Sequence, residues 1–374
     1  MDNIAGTKPA LTWVVHISVV LLVVLWLIPT VGLLVSSFRD RDQISATGWW
    51  LSPFPVEQNY QVKAPAGDVT VDGDRNVIEG NVFGDGEGTV SRFGGKRAAP
   101  TEFKAGDTAQ LRKDRTLSVQ RDGSYVYTSP AAIKRDPSIY FAAESPPDFS
   151  LDNYRTIMAS DNMDRAFINT LTVTIPATII PILIAAFAAY ALAWMDFRGR
   201  GFLIALVVGL LVVPLQLALV PLLTLHNKVG IGQSFLGIWM AHTGFGLPLA
   251  IYLLRNYMVG LPRDIIEGAK VDGATDFQVF TKIVLPLSFP ALASFAIFQF
   301  LWTWNDLLVA KVFLPSNSES WVMTVKIADD LLGSKGGDWG ILAAAAFISI
   351  AVPLIVFFTM QRYLVRGLLA GSVK

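Results

Sequence analysis

The sequence contains no cysteine and only three histidines among its 374 residues. Without cysteine there is no disulfide, no thiolate metal site and no cysteine nucleophile. His16, His226 and His242 are isolated from one another, so they form no metal or acid–base cluster, and no metal is expected. Charge is scarce as well: 16% of residues are charged, well below the ~25% of soluble domains. The formal net charge is zero, which argues against a nucleic-acid partner. The glycine-rich run at 84–95 lacks any G-x-x-x-x-G-K-[ST] arrangement and reads as a flexible loop, not a phosphate cradle. With no catalytic set in view, the chain is expected to be neither an enzyme nor the holder of a cofactor.

What the sequence has in excess is apolar surface: 52% hydrophobic residues and a mean hydropathy of +0.47. Six apolar segments have the ~20 residues a helix needs to cross a bilayer. They cover 11–35, 167–194, 202–225, 235–254, 285–309 and 340–360. The first is longer than a secretory signal core and lacks an A-x-A site, so it reads as a retained span. Pro286 and Pro290 make the start of the fifth the least secure. Pro176, Pro181, Pro214, Pro221 and Pro248 predict kinked spans and a bent bundle with room for a path.

Orientation follows from basic residues in the short loops. Arg198 and Arg200 follow the second span. Arg255, Arg263, Lys270 and Lys282 follow the fourth. Arg362, Arg366 and Lys374 form the tail. Only Lys228 lies between the third and fourth spans. The bias predicts both termini in the cytoplasm. Arg39 and Arg41 run against it, accompanied by Asp40 and Asp42.

Residues 39–165 differ from the rest. They hold 16 of the 30 Lys and Arg residues and 19 of the 30 Asp and Glu residues. Alternating residues flank Arg121-Asp122-Gly123-Ser124, a strong hairpin signal, and Val69-Thr70-Val71 with Val77-Ile78 flank a second turn at Asp72-Gly73-Asp74. The expectation is a β-rich extracytoplasmic domain at 57–147, ended by Ser145-Pro146-Pro147, inside an extracytoplasmic region at 39–165. Asp72, Asp74, Asn76 and Glu79 do not fit the spacing of a calcium loop and read as turn chemistry.

The polar stretch 267–286 lies between the fourth and fifth spans. Pro262 suits a helix start. Ile265, Ile266 and Ala269 give a short apolar stripe, Gly273 breaks the helix, and Thr275 or Asp276 caps a second one. Phe277, Phe280, Ile283 and Val284 give that second helix an apolar face. Glu267-Gly268-Ala269, Gly273 after three residues, then Ile283 and Leu285-Pro286, resemble the E-A-A-x3-G-x9-I-x-L-P loop of ATP-binding-cassette importer permeases. Gly268 departs from the usual Ala.

The resemblance extends to Asn153-Tyr154, Phe167-Ile168-Asn169-Thr170, Trp304-Asn305-Asp306 and a tail, Gln361 to Lys374, similar to that of the MalG-like subunit of carbohydrate importers. It covers all but 57–147, and an insert at this place resembles the α-glucoside branch. It implies an all-α membrane protein, a six-helix type I importer bundle carrying an inserted β-rich domain. Its parts would be 1–38, 39–165, 166–361 with a cytoplasmic coupling loop at 262–286, and a tail at 362–374. Glu267, Gly268, Ala269, Asp272, Gly273, Ala274, Ile283, Leu285 and Pro286 would couple to an ATPase, and Gln361, Arg362, Arg366 and Gly371 would contact it. The partners implied are a second, MalF-like permease, an ATPase dimer that binds the ATP, an extracytoplasmic sugar-binding protein and lipid, in a bacterial inner membrane. In the maltose-type family the other permease holds most of the sugar.

Polar residues in the spans are candidates for the path. Gln216, Trp304, Asn305 and Asp306 could line it, with Trp302 or Trp304 stacking on a sugar. Helix-to-helix capping by Asn305 and Asp306, interfacial tryptophans and a helix-bonding Gln216 are the structural alternatives. A membrane-anchored sensor or assembly protein with an extracytoplasmic recognition domain competes with the permease, but it has no use for the coupling loop. A secondary transporter should show an inverted repeat and mid-membrane charges, and neither is found.

Overall fold

The computed structural model describes residues 9–65, 69–84, 86–160, 162–331 and 338–369. The chain divides into two units, Met1–Asn153 and Tyr154–Lys374.

The first unit opens with α1 (Pro9–Ser37), apolar along its length, then α2 (Arg41–Ala46) and a 3₁₀ turn at Trp49–Leu51. Nine strands follow: β1 (Val56–Lys63), β2 (Thr70–Asp72), β3 (Arg75–Asn81), β4 (Val90–Gly94), β5 (Phe103–Lys104), β6 (Thr108–Leu111), β7 (Arg115–Val119), β8 (Ser124–Ser129) and β9 (Ser138–Ser145). They form two sheets, β1-β9-β4-β5 and β2-β3-β8-β7-β6. Val90, Phe93, Ile139 and Phe141 of one share a buried core with Ile78, Leu117 and Tyr127 of the other, so the sheets are stacked faces of one sandwich. Both expected hairpins form, β2–β3 around Gly73 and β7–β8 around Gly123. The Asp122 carboxylate accepts from the Ser124 hydroxyl at 2.6 Å and from its N–H at 3.0 Å, which holds the carboxyl below its ordinary range. The first and last strands pair along their whole length, Val56 opposite Ser145 and Lys63 opposite Ser138.

The second unit is helical. After α3 (Asp152–Met158), which straddles the division, come α4 (Met163–Trp194), α5 (Arg200–Leu210), α6 (Leu215–Lys228) and α7 (Phe235–Val259). Then follow α8 (Arg263–Val271), α9 (Asp276–Val279), a π-helical turn at Phe280–Val284, α10 (Leu285–Leu287) and α11 (Phe289–Trp304). Last come α12 (Leu308–Phe313), α13 (Met323–Val325), a second π-helical turn at Lys326–Leu331 and α14 (Trp339–Leu369). Four described helices are long and apolar enough to cross a membrane singly, and the number reaches six if each of two bent pairs is one span.

The third and fifth apolar runs are each bent pairs, and both bends are sharper than a kink within one helix. α5 ends at Leu210 and α6 starts afresh after Pro214, which takes an extended conformation (ψ 120°) as its N-cap, so the two meet at 109° across a break instead of a kink. Pro176, Pro181, Pro221 and Pro248 are carried inside continuous helices. The other pair, Asp276–Leu287 and Phe289–Trp304, turns by 70° at Ser288, between Pro286 and Pro290. The fifth span stops at Trp304, short of Val309, because the Asp306 carboxylate caps a separate helix, α12.

Small residues let α4 and α7 pack closely: Ala185, Ala186 and Ala189 share a buried cluster with Ala250 and Leu254. Polar side chains cross-brace the bundle. The Gln299 amide donates to Ala177 O on α4 at 3.1 Å and to His242 O on α7 at 3.5 Å. The Trp239 indole donates to Thr172 O at 2.9 Å. Asn169 donates to Glu319 O and Trp321 O at 2.8 and 3.0 Å, and Thr170 Oγ1 accepts from Met323 N at 2.9 Å. The Phe167-Ile168-Asn169-Thr170 motif thus pins the segment that leads into α13 to α4.

Candidate functional site

The stretch between α7 and α11 folds as an elbow. α8 starts after Pro262 and ends in a Schellman turn. There Gly273 adopts φ +87°, its N–H donates to Lys270 O at 3.1 Å, and the Ala274 N–H donates to Ala269 O at 3.0 Å. Left-handed backbone of this kind favours glycine. One residue later Thr275 opens α9 with a reciprocal capping box: its hydroxyl accepts from Gln278 N at 3.3 Å, and its N–H donates to Gln278 Oε1 at 2.9 Å. A stop and a start back to back make the bend rigid.

One side of the elbow is anchored. Ile266, Val279, Phe280 and Val284 are buried against Tyr190 of α4 and Leu254 and Met258 of α7. The Phe280 ring lies 4.7 Å from Phe187 and 5.2 Å from Tyr190, centroid to centroid. Lys270 Nζ approaches Asp276 Oδ1 at 2.9 Å across the bend, and the Tyr190 hydroxyl donates to the same oxygen at 3.2 Å. Asp276 is therefore a tie between both arms and α4, while the N-cap falls to Thr275.

The other side is open. Glu267, Gly268, Asp272 and Gly273 are exposed, and a methyl added at Gly268 or Gly273 would meet no atom within 4 Å. Ala269 and Ala274 are half-buried behind them, as are Ile283 and Leu285, and Pro286 is exposed. Val271 is 87% exposed and Phe277 64% exposed. Phe277 and Ile265 thus depart from the expected apolar faces and point outward. The π-helical turn after Val279 inserts an extra residue and moves the buried face onto Val279, Phe280 and Val284. Phe277 instead forms one lip of a cleft of about 270 Å³, whose wall includes Phe187, Tyr190, Met195 and Phe280.

On α14, Gln361 donates to Phe358 O at 3.3 Å, and the Arg362 guanidinium lies 4.8 Å over the Tyr363 ring. Arg366 falls on the last turns of that helix, and Gly371 lies outside the described residues.

A second feature is an apolar cavity of about 600 Å³ in the crook of α5 and α6, walled by α7 and α11. Leu215, Leu222, Phe245, Phe298 and Trp302 dominate its lining, and Gln299 is its polar side chain. None of the four residues expected on a path lies here. Gln216 is exposed on α6, one residue out of register with Leu215 and Ala218. Trp304 is 1% exposed, stacked on Phe300, with its indole donating to Ser349 O at 2.8 Å. Asn305 is exposed and donates to Leu301 O at 2.9 Å. The Asp306 carboxylate accepts from Val309 N and Ala310 N at 3.3 and 3.0 Å. Trp302 and Gln299 take the wall positions instead. Gln299 escaped notice in the sequence, where a lone glutamine in the fifth apolar run was the available signal. Among the described residues, no group of three or more His, Cys, Asp or Glu is placed to hold a metal ion.

Comparison with known proteins gives a consistent picture. Residues 165–369 match the family model described as binding-protein-dependent transport system inner membrane component. The chain is 59% identical to the alpha-glucoside transport system permease protein AglG of Rhizobium meliloti (strain 1021), over 98% of each. It is 35% identical to the trehalose transport system permease protein SugB of Mycobacterium tuberculosis (strain CDC 1551 / Oshkosh), over 61% of this chain and 84% of that one. Among solved structures, a chain of a bacterial ABC transporter involved in alginate import aligns with a TM-score of 0.50 at 23% identity, over 59% of this chain and 81% of that one. At that identity the match speaks for the fold of the helical bundle.

Proposed function

This chain belongs to the family of binding-protein-dependent transport system inner membrane components, the permeases of ATP-driven importers, and on that premise we propose that its cargo is a sugar of the α-glucoside class. The observation carrying the cargo class is the end-to-end identity with an alpha-glucoside permease, which spans the β sandwich as well as the bundle. A permease of this family works with a second permease and an ATPase. In the finer reading these are a distinct MalF-like subunit and two copies of the ATPase. An extracytoplasmic sugar-binding protein delivers the cargo. The protein is a multi-pass inner-membrane protein, with both termini and the elbow inside and the sandwich outside.

The elbow is the dock for the ATPase. Its exposed face offers Glu267 for a basic partner, a flat patch at Gly268, and the apolar Val271 and Phe277, while the opposite face is packed into the bundle. Closure of the ATPases pushes the elbow as one body. Phe280 and the Tyr190–Asp276 bond pass that push to α4. The α14 tail, with Gln361, Arg362, Arg366 and Gly371, adds a second contact to the motor. Trp302 and Gln299 are this subunit's contribution to the path.

The test uses the complex in proteoliposomes. Glu267→Ala should leave membrane insertion intact and cut ATP-driven uptake steeply, and normal uptake would refute the assignment of the elbow. Uptake of labelled maltose should be competed by other α-glucosides and not by cellobiose. Competition by cellobiose alone would refute the cargo class.

A further inference from the structure

The apolar helix α1 does not end in solvent. The chain turns back beside it. Arg39 is buried, and its guanidinium donates to Gln43 O at 3.0 Å and to Thr47 Oγ1 at 2.8 Å. Burial lowers its pKa from the ordinary value. This pin reverses the chain and brings Trp49 down onto the flank of α1. A methyl at Gly32 would come within 2.6 Å of the Trp49 indole nitrogen. Gly32 is five residues before the end of α1 at Ser37, so Trp49 sits about 7.5 Å below that end.

The segment held there is apolar and exposed. Trp50 is 64% exposed and Phe54 60%, with Leu51 between them. The chain leaving the β sandwich returns to the same place. Ser150 N donates to Phe38 O at 2.8 Å, and the Asn153 amide donates to Ser37 O and Arg39 O at 3.0 and 2.9 Å. That returning strand carries Phe149 and Leu151, both exposed. Five large apolar side chains thus gather around the outer end of a helix whose composition is that of a membrane span. The exposed Asp40, Arg41 and Asp42 lie beside them.

We propose that Trp50, Leu51, Phe54, Phe149 and Leu151 form a collar that sits in the headgroup region of the outer leaflet and seats the β sandwich on the bilayer. The occupant is lipid because the collar continues the apolar surface of α1 and lies at and below that helix's outer end. Tryptophan, with an apolar body and one polar N–H, favours this depth. Arg39 and its neighbours then serve the turn above the collar, which accounts for basic residues on the side where few are expected. The collar stands apart from the coupling reading and from the identity of the cargo.

The chain lacks cysteine, so single-site labelling is direct. Leu51→Cys, Phe54→Cys, Leu151→Cys and Ser118→Cys are each spin-labelled in the full-length chain. Each is assembled with cysteine-depleted partner subunits in phosphatidylethanolamine–phosphatidylglycerol vesicles. Collision with oxygen should exceed collision with a water-soluble nickel chelate at the first three, and the order should reverse at Ser118. Chelate access at the collar equal to that at Ser118 would overturn the proposal. So would shielding from both reagents, which would mean a protein partner covers the patch. Gly32→Leu should dislodge Trp49 and raise chelate access at residue 51 while residue 118 stays unchanged. No change at residue 51 would overturn the role of Gly32 in setting the depth.

Discussion

Gly268 and Gly273 stand five residues apart in the elbow, and the same added methyl should act on them in opposite directions. Neither methyl would meet an atom within 4 Å, so sterics do not distinguish them. Backbone conformation does. Gly268 lies inside α8, where glycine costs about 0.8–1 kcal/mol relative to alanine. Gly268→Ala should recover that amount. Gly273 holds φ +87°, where a Cβ costs about 1–2 kcal/mol. Alanine also restricts the unfolded chain, which returns about 0.4–1 kcal/mol. The net loss for Gly273→Ala is therefore about 1 kcal/mol. The two variants should differ by about 2 kcal/mol, roughly 30-fold in the local opening equilibrium. Hydrogen exchange reads this at the amides of Asp272, Gly273 and Ala274, which bond to Gly268 O, Lys270 O and Ala269 O. Exchange should slow in Gly268→Ala and speed up in Gly273→Ala, and uptake should follow the same order. A shift in the same direction for both variants would refute the assignment of Gly273 to the left-handed turn.

Three further outcomes follow. Tyr190→Phe keeps the ring on Phe280 but loses the bond to Asp276, worth about 0.5–1.5 kcal/mol. Transport per ATP hydrolysed should fall several-fold with ATPase activity retained, and a parallel fall in both would rule out a transmitting role. A cysteine at Ser118 should react with an impermeant thiol reagent in intact cells and one at Thr275 only after permeabilisation, and the reverse pattern would invert the topology. If the sandwich docks the binding protein and so raises its effective concentration, replacing 57–147 with a short Gly-Ser linker should preserve assembly with the ATPase and reduce uptake most when binding protein is scarce. Uptake unchanged at every binding-protein concentration would remove that role.

The parts of the molecule legible in the sequence were those set by local rules. Gly273, Thr275 and the two hairpin turns announce themselves because backbone conformation and capping depend on a few adjacent residues. The parts that were not legible depend on neighbours far along the chain. Trp304 and Asp306 look like path residues in a span, yet one is tied to α14 and the other caps α12. Pro214 reads the same as Pro176 in sequence, but Pro176 is carried inside α4 while Pro214 lies in the break before α6 and caps its start. Phe277 fits an α-helical stripe that the π-helical turn then rotates away. Gln299 makes its bonds to carbonyls 122 and 57 residues away, which no periodicity announces.

The pairing of β1 with β9 bears on how such a chain could have arisen. With Val56 opposite Ser145, the sandwich begins and ends at one point on the thread, only a strand spacing apart. To the rest of the chain it is a loop of nearly zero span, so carrying it adds little closure entropy beyond that of a tight turn. A gene fragment encoding these strands could enter or leave an ancestral permease without changing the register of any membrane helix. The helices and the sandwich would then be free to diverge at separate rates.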